Sequence, residues 1–410
     1  MIVPLPEAVT DTCGGKAGTL GTLLRAGLPV PDGFVLPFAT YLDAGRDTAR
    51  PLDVTVLDAL GRALDELGDP FVAVRSSAAN EDTAQASAAG QYDSFLAVRG
   101  LGQVADAVRA CWASLLSPRA VGYRADQPPD DLVMAVIVQR HLDAEVSGVM
   151  FTPANPDDTT EIEASWGLGP SVVGGTVTPD AYRVARDGST THTVADKQTR
   201  LDRYGARLVV RDVPEHARRR PTIDGATATR LADLGGEIAA VLGGPQDVEW
   251  AIADGRIWVL QARPVTAAPP RPSAPLTTPP AALTGTPGSH GTVTGTARVV
   301  RGPADFARVR PGDILVCPFT DPAWTPLLRI VSGVVTETGG VLSHAAIVAR
   351  EHAIPAVLGV PDATGRLRDD TVITVDGTAG TVTTPHDRKE TGHRVPGTDD
   401  DTSSLPDTPR

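Results

Sequence analysis

From Thr266 to Pro287 the chain is dense in proline, alanine and threonine and shows no apolar period, so this stretch cannot lie inside a compact core. A segment of that kind divides the 410 residues into two parts, each of which must bury its own apolar side chains. Residues 266–284 are accordingly read as a semi-rigid linker at a domain boundary.

Residues 1–265 alternate helix-period stretches with short β-branched runs: Phe71-Val-Ala-Val-Arg75, Val133-Met-Ala-Val-Ile-Val138 and Ile257-Trp-Val-Leu260. That pattern predicts a mixed α/β domain. Residues 285–384 return to strands in Thr292–Val300, Asp313–Val316, Gly333–Thr336 and Val372–Val375, around one helical stretch after Ser343, which predicts a smaller α/β unit. Residues 385–410 are charged and almost free of large apolar side chains, so a disordered tail is expected there. The fold class is thus α/β and multi-domain.

Composition excludes several roles. Fifty acidic residues against 37 basic ones give a net charge of -13, and no Lys/Arg run offers a surface to a phosphate backbone, so nucleic acid is not an expected partner. The chain opens without a basic start and apolar run, and no segment approaches the roughly 20 apolar residues of a membrane span. A cytoplasmic protein away from the membrane is expected. Cys13, Cys111 and Cys317 are far apart and outside any C-x-x-C spacing, which indicates neither a disulfide framework nor a zinc site.

The sharpest chemical signal is Thr336-Glu-Thr-Gly-Gly-Val-Leu-Ser-His-Ala-Ala-Ile-Val-Ala-Arg350, continuing Glu351-His-Ala-Ile-Pro-Ala-Val-Leu-Gly359. Two glycines after a strand permit a tight turn, and the helix that follows brings amide groups and the positive end of its dipole beside His344. Imidazole is nucleophilic near neutral pH and forms a phosphoramidate that passes its phosphoryl group onward. His352 is read as a surface residue.

This segment resembles the phosphohistidine, or swivelling, domain of the phosphoenolpyruvate synthase and pyruvate phosphate dikinase family. Asp321-Pro-Ala-Trp-Thr-Pro326 and Val375-Asp-Gly377 with Gly380 resemble it too. The resemblance makes His344 the phosphorylated histidine. Ser343 stands where the synthases usually carry cysteine, and in that respect the motif is similar to rifampin phosphotransferase. Gly288-Ser-His-Gly291 departs from the family's Ser-Pro-Gly, and His290 is read as a turn residue.

The first part supplies candidate nucleotide contacts. Cys13-Gly-Gly-Lys-Ala-Gly18 places Lys16 on a glycine-rich turn, and Val74-Arg-Ser-Ser-Ala78 ends a strand with the Arg75 guanidinium, able to fork two phosphate oxygens. Ala89-Gly-Gln-Tyr92 adds a turn nearby. Asp247-Val-Glu-Trp250 and Leu260-Gln-Ala-Arg-Pro264 read as a hairpin closed by Ala253-Asp-Gly-Arg256, with Glu249, Gln261 and Arg263 on one face. A carboxylate and an amide oxygen are hard ligands suited to Mg²⁺ on phosphates, and an arginine suits the charge of a phosphoryl group in flight.

These segments resemble the family's ATP-grasp domain in order and along nearly its full length. By that resemblance Lys16, Arg75, Glu249, Gln261 and Arg263 contact ATP phosphates or metal, with Glu249 and Gln261 as the Mg²⁺ ligands. Val138-Gln-Arg140, which contains Gln139, with Val146-Ser-Gly-Val149 resembles the strand pair that holds the adenine. Glu163-Ala-Ser-Trp-Gly-Leu-Gly169 and Val177-Thr-Pro-Asp180 resemble family segments to which chemistry assigns no role.

The expected function is ATP-dependent phosphotransfer with ATP and Mg²⁺ as cofactors, His344 as the carrier, and Arg75 and Arg263 as catalytic partners. The resemblance implies transfer of the β-phosphoryl group, while the residues alone allow γ transfer. No third domain of the kind that binds the acceptor in the synthases is read in the sequence. Three arrangements stay open: a complete enzyme with a small-molecule acceptor, half of a split enzyme working with a separate acceptor protein, and a non-catalytic regulatory module.

Overall fold

The computed structural model describes residues 2–48, 50–79, 81, 92–117, 120–121, 132–155, 158–269 and 282–384. The expected tail 385–410, the middle of the linker and residues 89–91 of the Ala89–Tyr92 turn lie outside the described residues.

The first sheet contains β1 (Val3–Pro4), β2 (Gly33–Leu36), β3 (Val72–Ala78), β4 (Ser94–Val98) and β5 (Met134–Arg140), antiparallel in the order β1-β2-β5-β3-β4. The helices Val54–Leu67 and Leu101–Ser114 cover it through Leu60, Leu64, Val104, Val108 and Trp112, the apolar stripe of each helix facing Val72, Val74, Val136 and Val138. Asp53 starts the first of these helices by accepting the Thr55 amide at 2.9 Å, and Gly68 ends it in the left-handed conformation.

The second sheet contains β6 (Val146–Phe151), β7 (Thr160–Trp166), β8 (Asp180–Val184) and β9 (Thr190–Thr193). After a two-stranded ribbon, β10 (Thr199–Tyr204) with β11 (Arg207–Asp212), the chain completes that sheet with β12 (Gln246–Ala253) and β13 (Arg256–Pro264) in the order β13-β12-β6-β7-β8-β9. The helices Thr10–Arg25 and Gly225–Leu242 bury Leu20, Leu23, Leu231 and Ile238 in one core with Trp250 and Val248.

Residues 138–140 and 146–149, the segments that resemble the family's adenine-side strand pair, stand on separate sheets. β5 already has β2 and β3 on its two edges, and β6 has β12 and β7, so these neighbours in sequence belong to different sheets. Residues 141–145 connect the two.

The third sheet takes in β14 (Leu283–Thr284), β15 (Thr286–Ser289), β16 (Thr292–Val299), β17 (Ile314–Cys317), β18 (Gly333–Thr336), β19 (Ala356–Leu358), β20 (Val372–Asp376) and β21 (Thr381–Thr383). Its order is β14-β21-β20-β16-β17-β18-β19-β15, with β16 to β19 parallel. Leu283 and Thr284, assigned to the linker by composition, pair instead with Val382 and Thr381, because a strand edge satisfies their backbone groups. The helix His344–Glu351 is the crossover from β18 to β19, which places His344 beyond the carboxyl end of a parallel strand, where open α/β sheets bind ligands.

Candidate active site

The β12–β13 hairpin turns at Asp254 and Gly255, both at positive φ (52° and 67°), the two-residue geometry that matches strand twist. Its register sets Glu249 opposite Gln261 and Asp247 opposite Arg263, so all four side chains share a face. Between these pairs and the turn the register slips, leaving Leu260 as an extra residue. The bulge turns the Leu260 carbonyl toward the first sheet, where Arg75 Nη1 donates to it at 2.5 Å.

Arg75 thus crosses between sheets. Its Nη2 donates to Gln261 Oε1 at 2.8 Å and lies 3.4 Å from Glu249 Oε2, so the three residues predicted from separate motifs meet at one point. Arg263, the fourth, pairs with Asp247 through Nε (2.8 Å) and Nη2 (2.7 Å), both side chains being buried. Burial pushes the Asp247 carboxyl up from its ordinary value, and the Arg263 guanidinium opposes that shift. Asp247 was quoted in the hairpin motif but given no role; only the cross-strand register identifies it as the partner of Arg263.

Glu249 and Gln261 offer adjacent oxygens, and Glu249 remains partly exposed, with a side chain 26% accessible. Two hard oxygens next to a cation-binding position fit Mg²⁺ whose other ligands come from phosphates and water. Among the described residues no group of three His, Cys, Asp or Glu side chains gathers to hold a metal by itself.

Lys16 does not stand on an open glycine turn. The helix Thr10–Arg25 runs through the motif and breaks at Gly14 (φ 81°, ψ 167°), where a Cβ would lie 2.3 Å from the Ser77 carbonyl oxygen. The ammonium of Lys16 is buried and donates to Glu81 Oε1 at 2.8 Å. The serines after Arg75 brace this arrangement: Ser77 Oγ donates to the Cys13 carbonyl at 2.7 Å and accepts from the Ala17 amide at 3.0 Å, and Ser76 Oγ lies 3.4 Å from Glu81. Gln139 is buried on β5, its Nε2 donating to the Pro31 carbonyl at 2.9 Å. Its side chain therefore ties β5 to the segment before β2.

On the third sheet, His344 is the first residue of its helix and is 4% exposed. Parallel strands bring their carboxyl-end loops side by side, so the segment after β17 covers the imidazole: Thr320 Oγ1 is 2.9 Å from Nδ1 and Thr325 Oγ1 is 3.3 Å from Nε2. Ser343 Oγ donates to the Gly340 carbonyl at 2.8 Å and does not cap the helix. His352 and His290 are exposed, as expected of surface and turn residues. All three cysteines are buried free thiols, and burial pushes those of Cys111 and Cys317 up from their ordinary value.

The third sheet's unit docks on the second sheet. Val149, Phe151, Val172 and Val177 form one apolar cluster with Leu342 and Ile347, on either side of His344. Thr338 Oγ1 donates to the Gly175 carbonyl at 2.6 Å, and the buried Glu163 carboxylate accepts from the Leu342 amide at 3.2 Å. Register places Glu163 opposite Val149 and Val149 opposite Glu249. The histidine loop therefore rests on the same sheet face that carries Glu249, Gln261, Asp247 and Arg263.

Two antiparallel sheets joined by a basic and acidic cluster, faced by a small parallel α/β unit presenting one histidine, define an ATP-grasp nucleotide-binding domain followed by a phosphohistidine-type domain. Residues 46–278 match the model of the pyruvate phosphate dikinase AMP/ATP-binding domain, and residues 309–380 that of the PEP-utilising enzyme mobile domain. The chain belongs to the phosphoenolpyruvate synthase and pyruvate phosphate dikinase family.

It is 37% identical to a probable phosphoenolpyruvate synthase of Methanothermobacter thermautotrophicus, over 90% of this chain and 61% of that protein. A probable phosphoenolpyruvate synthase of Archaeoglobus fulgidus is 36% identical and the phosphoenolpyruvate synthase of Aeropyrum pernix 33%, each over 90% of this chain and 56% of its own length. The chain spans between 56% and 61% of the length of these relatives. Among the described residues no helix is long and apolar enough to cross a membrane.

Proposed function

We propose that this chain carries out the ATP half of a dikinase reaction, phosphorylating His344 and passing the group to a small-molecule acceptor. The observation that carries the reading is the docking of the His344 loop on the sheet face bearing Glu249, Gln261 and Arg263.

Glu249 and Gln261 would hold Mg²⁺, which would supply positive charge at the phosphates. Arg75 and Arg263 bind equatorial phosphate oxygens and favour the charge that develops there. For Arg75 this means exchanging its contacts to Glu249 and Gln261 for phosphate oxygens. Lys16 likewise exchanges Glu81 for a phosphate oxygen. Gln139 keeps the adenine-side strand β5 in place through the Pro31 carbonyl.

With Nδ1–H donating to Thr320, the lone pair of Nε2 faces the weaker Thr325 contact and is the nucleophile. A bond forms between Nε2 and phosphorus, a phosphoanhydride bond breaks, and the Nδ1 proton remains on the ring. Transfer of the β-phosphoryl group balances as ATP, water and His344 giving phospho-His344, AMP and phosphate, the water cleaving the second anhydride. The relatives' name, for synthesis of phosphoenolpyruvate, supports a small α-keto acid as acceptor.

The test is incubation of the full chain with Mg²⁺ and ATP labelled separately at the β and γ positions. Acid-labile β label that disappears in His344→Ala is the expected result. Absence of label from both proteins refutes the reading, and label from the γ position alone replaces the dikinase route with a simple histidine kinase step.

A further inference from the structure

Glu163 has no use in the chemistry described so far, yet it lies at the centre of β7 with only 3% of its surface exposed. Burying a carboxylate is costly unless hydrogen bonds compensate. Its hydrogen bond goes to the other domain: Leu342 donates its amide at 3.2 Å, and the Val341 amide adds to the favourable electrostatics of the carboxylate. Gly340 completes the fit, because a Cβ there would stand 2.1 Å from Glu163 Oε1.

The helix of His344 adds a cation. Arg350 donates through Nη1 to the carbonyls of Val341 (2.7 Å) and Gly288 (3.0 Å), and its charge attracts Glu163. The carboxylate thus grips a turn whose last member, Leu342, is two residues from His344.

We propose that Glu163 is a positioning residue for phosphoryl uptake: it captures the Gly340–Leu342 turn by its amides and so presents His344 to the nucleotide face. The proposal rests on the phosphohistidine reading above. It also assigns a role to the Glu163–Gly169 segment, whose chemistry the sequence left unexplained.

A secondary signature follows from burial, which pushes the Glu163 carboxyl up to about 7. The groups facing it are Glu161 on its own strand, Arg350 from the histidine helix and the two amides, with Asp247 acting on Arg350. The Leu342 amide and the Arg350 charge of the docked unit oppose that rise and favour the ionised carboxyl, the form that accepts amide hydrogens, so labelling should follow the ionisation of Glu163 with an inflection near pH 7.

The experiment uses the full chain and single-turnover labelling of His344 at saturating ATP and Mg²⁺. Glu163→Gln should slow labelling by roughly 10- to 100-fold, the range expected when reacting groups are misplaced by about 1 Å, with ATP affinity unchanged. The pH inflection near 7 should vanish in the variant, and Glu163→Asp should recover part of the rate. Gly340→Ala should slow labelling through its clash, and Glu163→Ala should relieve that clash, so the double variant should be no slower than Glu163→Ala alone.

Labelling at the wild-type rate in Glu163→Gln, or strictly multiplicative effects of the Gly340 and Glu163 changes, overturns the proposal. Small-angle scattering of the same proteins separates this from failure of the parent reading. If the wild type never takes up label, phosphotransfer falls, while a Glu163→Ala chain that stays as compact as wild type sinks the clasp.

Discussion

The β12–β13 edge and the surroundings of His344 solve opposite problems. At the edge, charges neutralise one another in pairs: Arg75 with Glu249, Arg263 with Asp247, and Lys16 with Glu81 nearby. At His344 two hydroxyls, those of Thr320 and Thr325, meet the ring nitrogens, and the imidazole is buried. Under the proposed function, the first region keeps its phosphate and metal ligands in place by giving each a surrogate. Under the same reading the second keeps a buried nucleophile oriented through hydroxyl groups. A phosphoryl carrier requires both, since a cationic imidazole has no lone pair to attack with and an unpaired buried arginine is unstable.

Changes at the two regions should therefore fail in different ways. The largest effect is expected from His344→Ala, which should abolish acid-labile label while nucleotide affinity, read by equilibrium dialysis, stays within twofold of wild type. Should that variant lose ATP binding too, the two regions are one site and the comparison breaks.

Arg75→Ala comes next. Removing the residue that joins both sheets and one phosphate contact should lower the labelling rate by about 100-fold or more, as for loss of a transition-state donor. Arg263→Ala should act on stability as well as rate, because it strands Asp247; a loss of about 3–5 kcal/mol is expected by calorimetry, with Arg263→Ala/Asp247→Asn recovering part of it. An Arg263→Ala protein as stable as wild type would show that the pair is dispensable.

Glu249→Gln keeps shape and removes charge, so it should raise the Mg²⁺ concentration needed for half-maximal labelling by about tenfold with little change in stability. Thr320→Val should give the smallest effect, about a tenfold drop in labelling rate with unchanged ATP and Mg²⁺ dependence, because it frees the imidazole tautomer without touching the nucleotide edge. Altered Mg²⁺ dependence in Thr320→Val would blur the comparison.

The parts that were readable in the sequence are those with a local physical cause. Gly339 and Gly340 after a strand marked His344, and the Asp254-Gly255 turn with period-two spacing put Glu249, Gln261 and Arg263 on one face. The residues given no role are long-range partners. Glu81 meets Lys16 across 65 positions, Glu163 meets Leu342 across 179, and Thr320 reaches His344 from the loop of a neighbouring strand. Asp247 was only two residues from Glu249, yet its role depends on standing opposite Arg263. The placement of residues 138–140 and 146–149 on two sheets was not legible for a related reason: β5 and β6 are adjacent in sequence, but each has partners on both of its edges.

The sequence by itself determined the α/β, multi-domain fold class and which residues are candidates for phosphate and phosphoryl chemistry, because periodicity, turn residues and side-chain donors are local properties. Tertiary structure decided which charge neutralises which, which hydroxyls hold the imidazole, and where the histidine loop rests. Those choices depend on strand register, a single bulge at Leu260 and the docking of one domain on another, and they exist only when segments far apart in the chain compete for the same edges and faces.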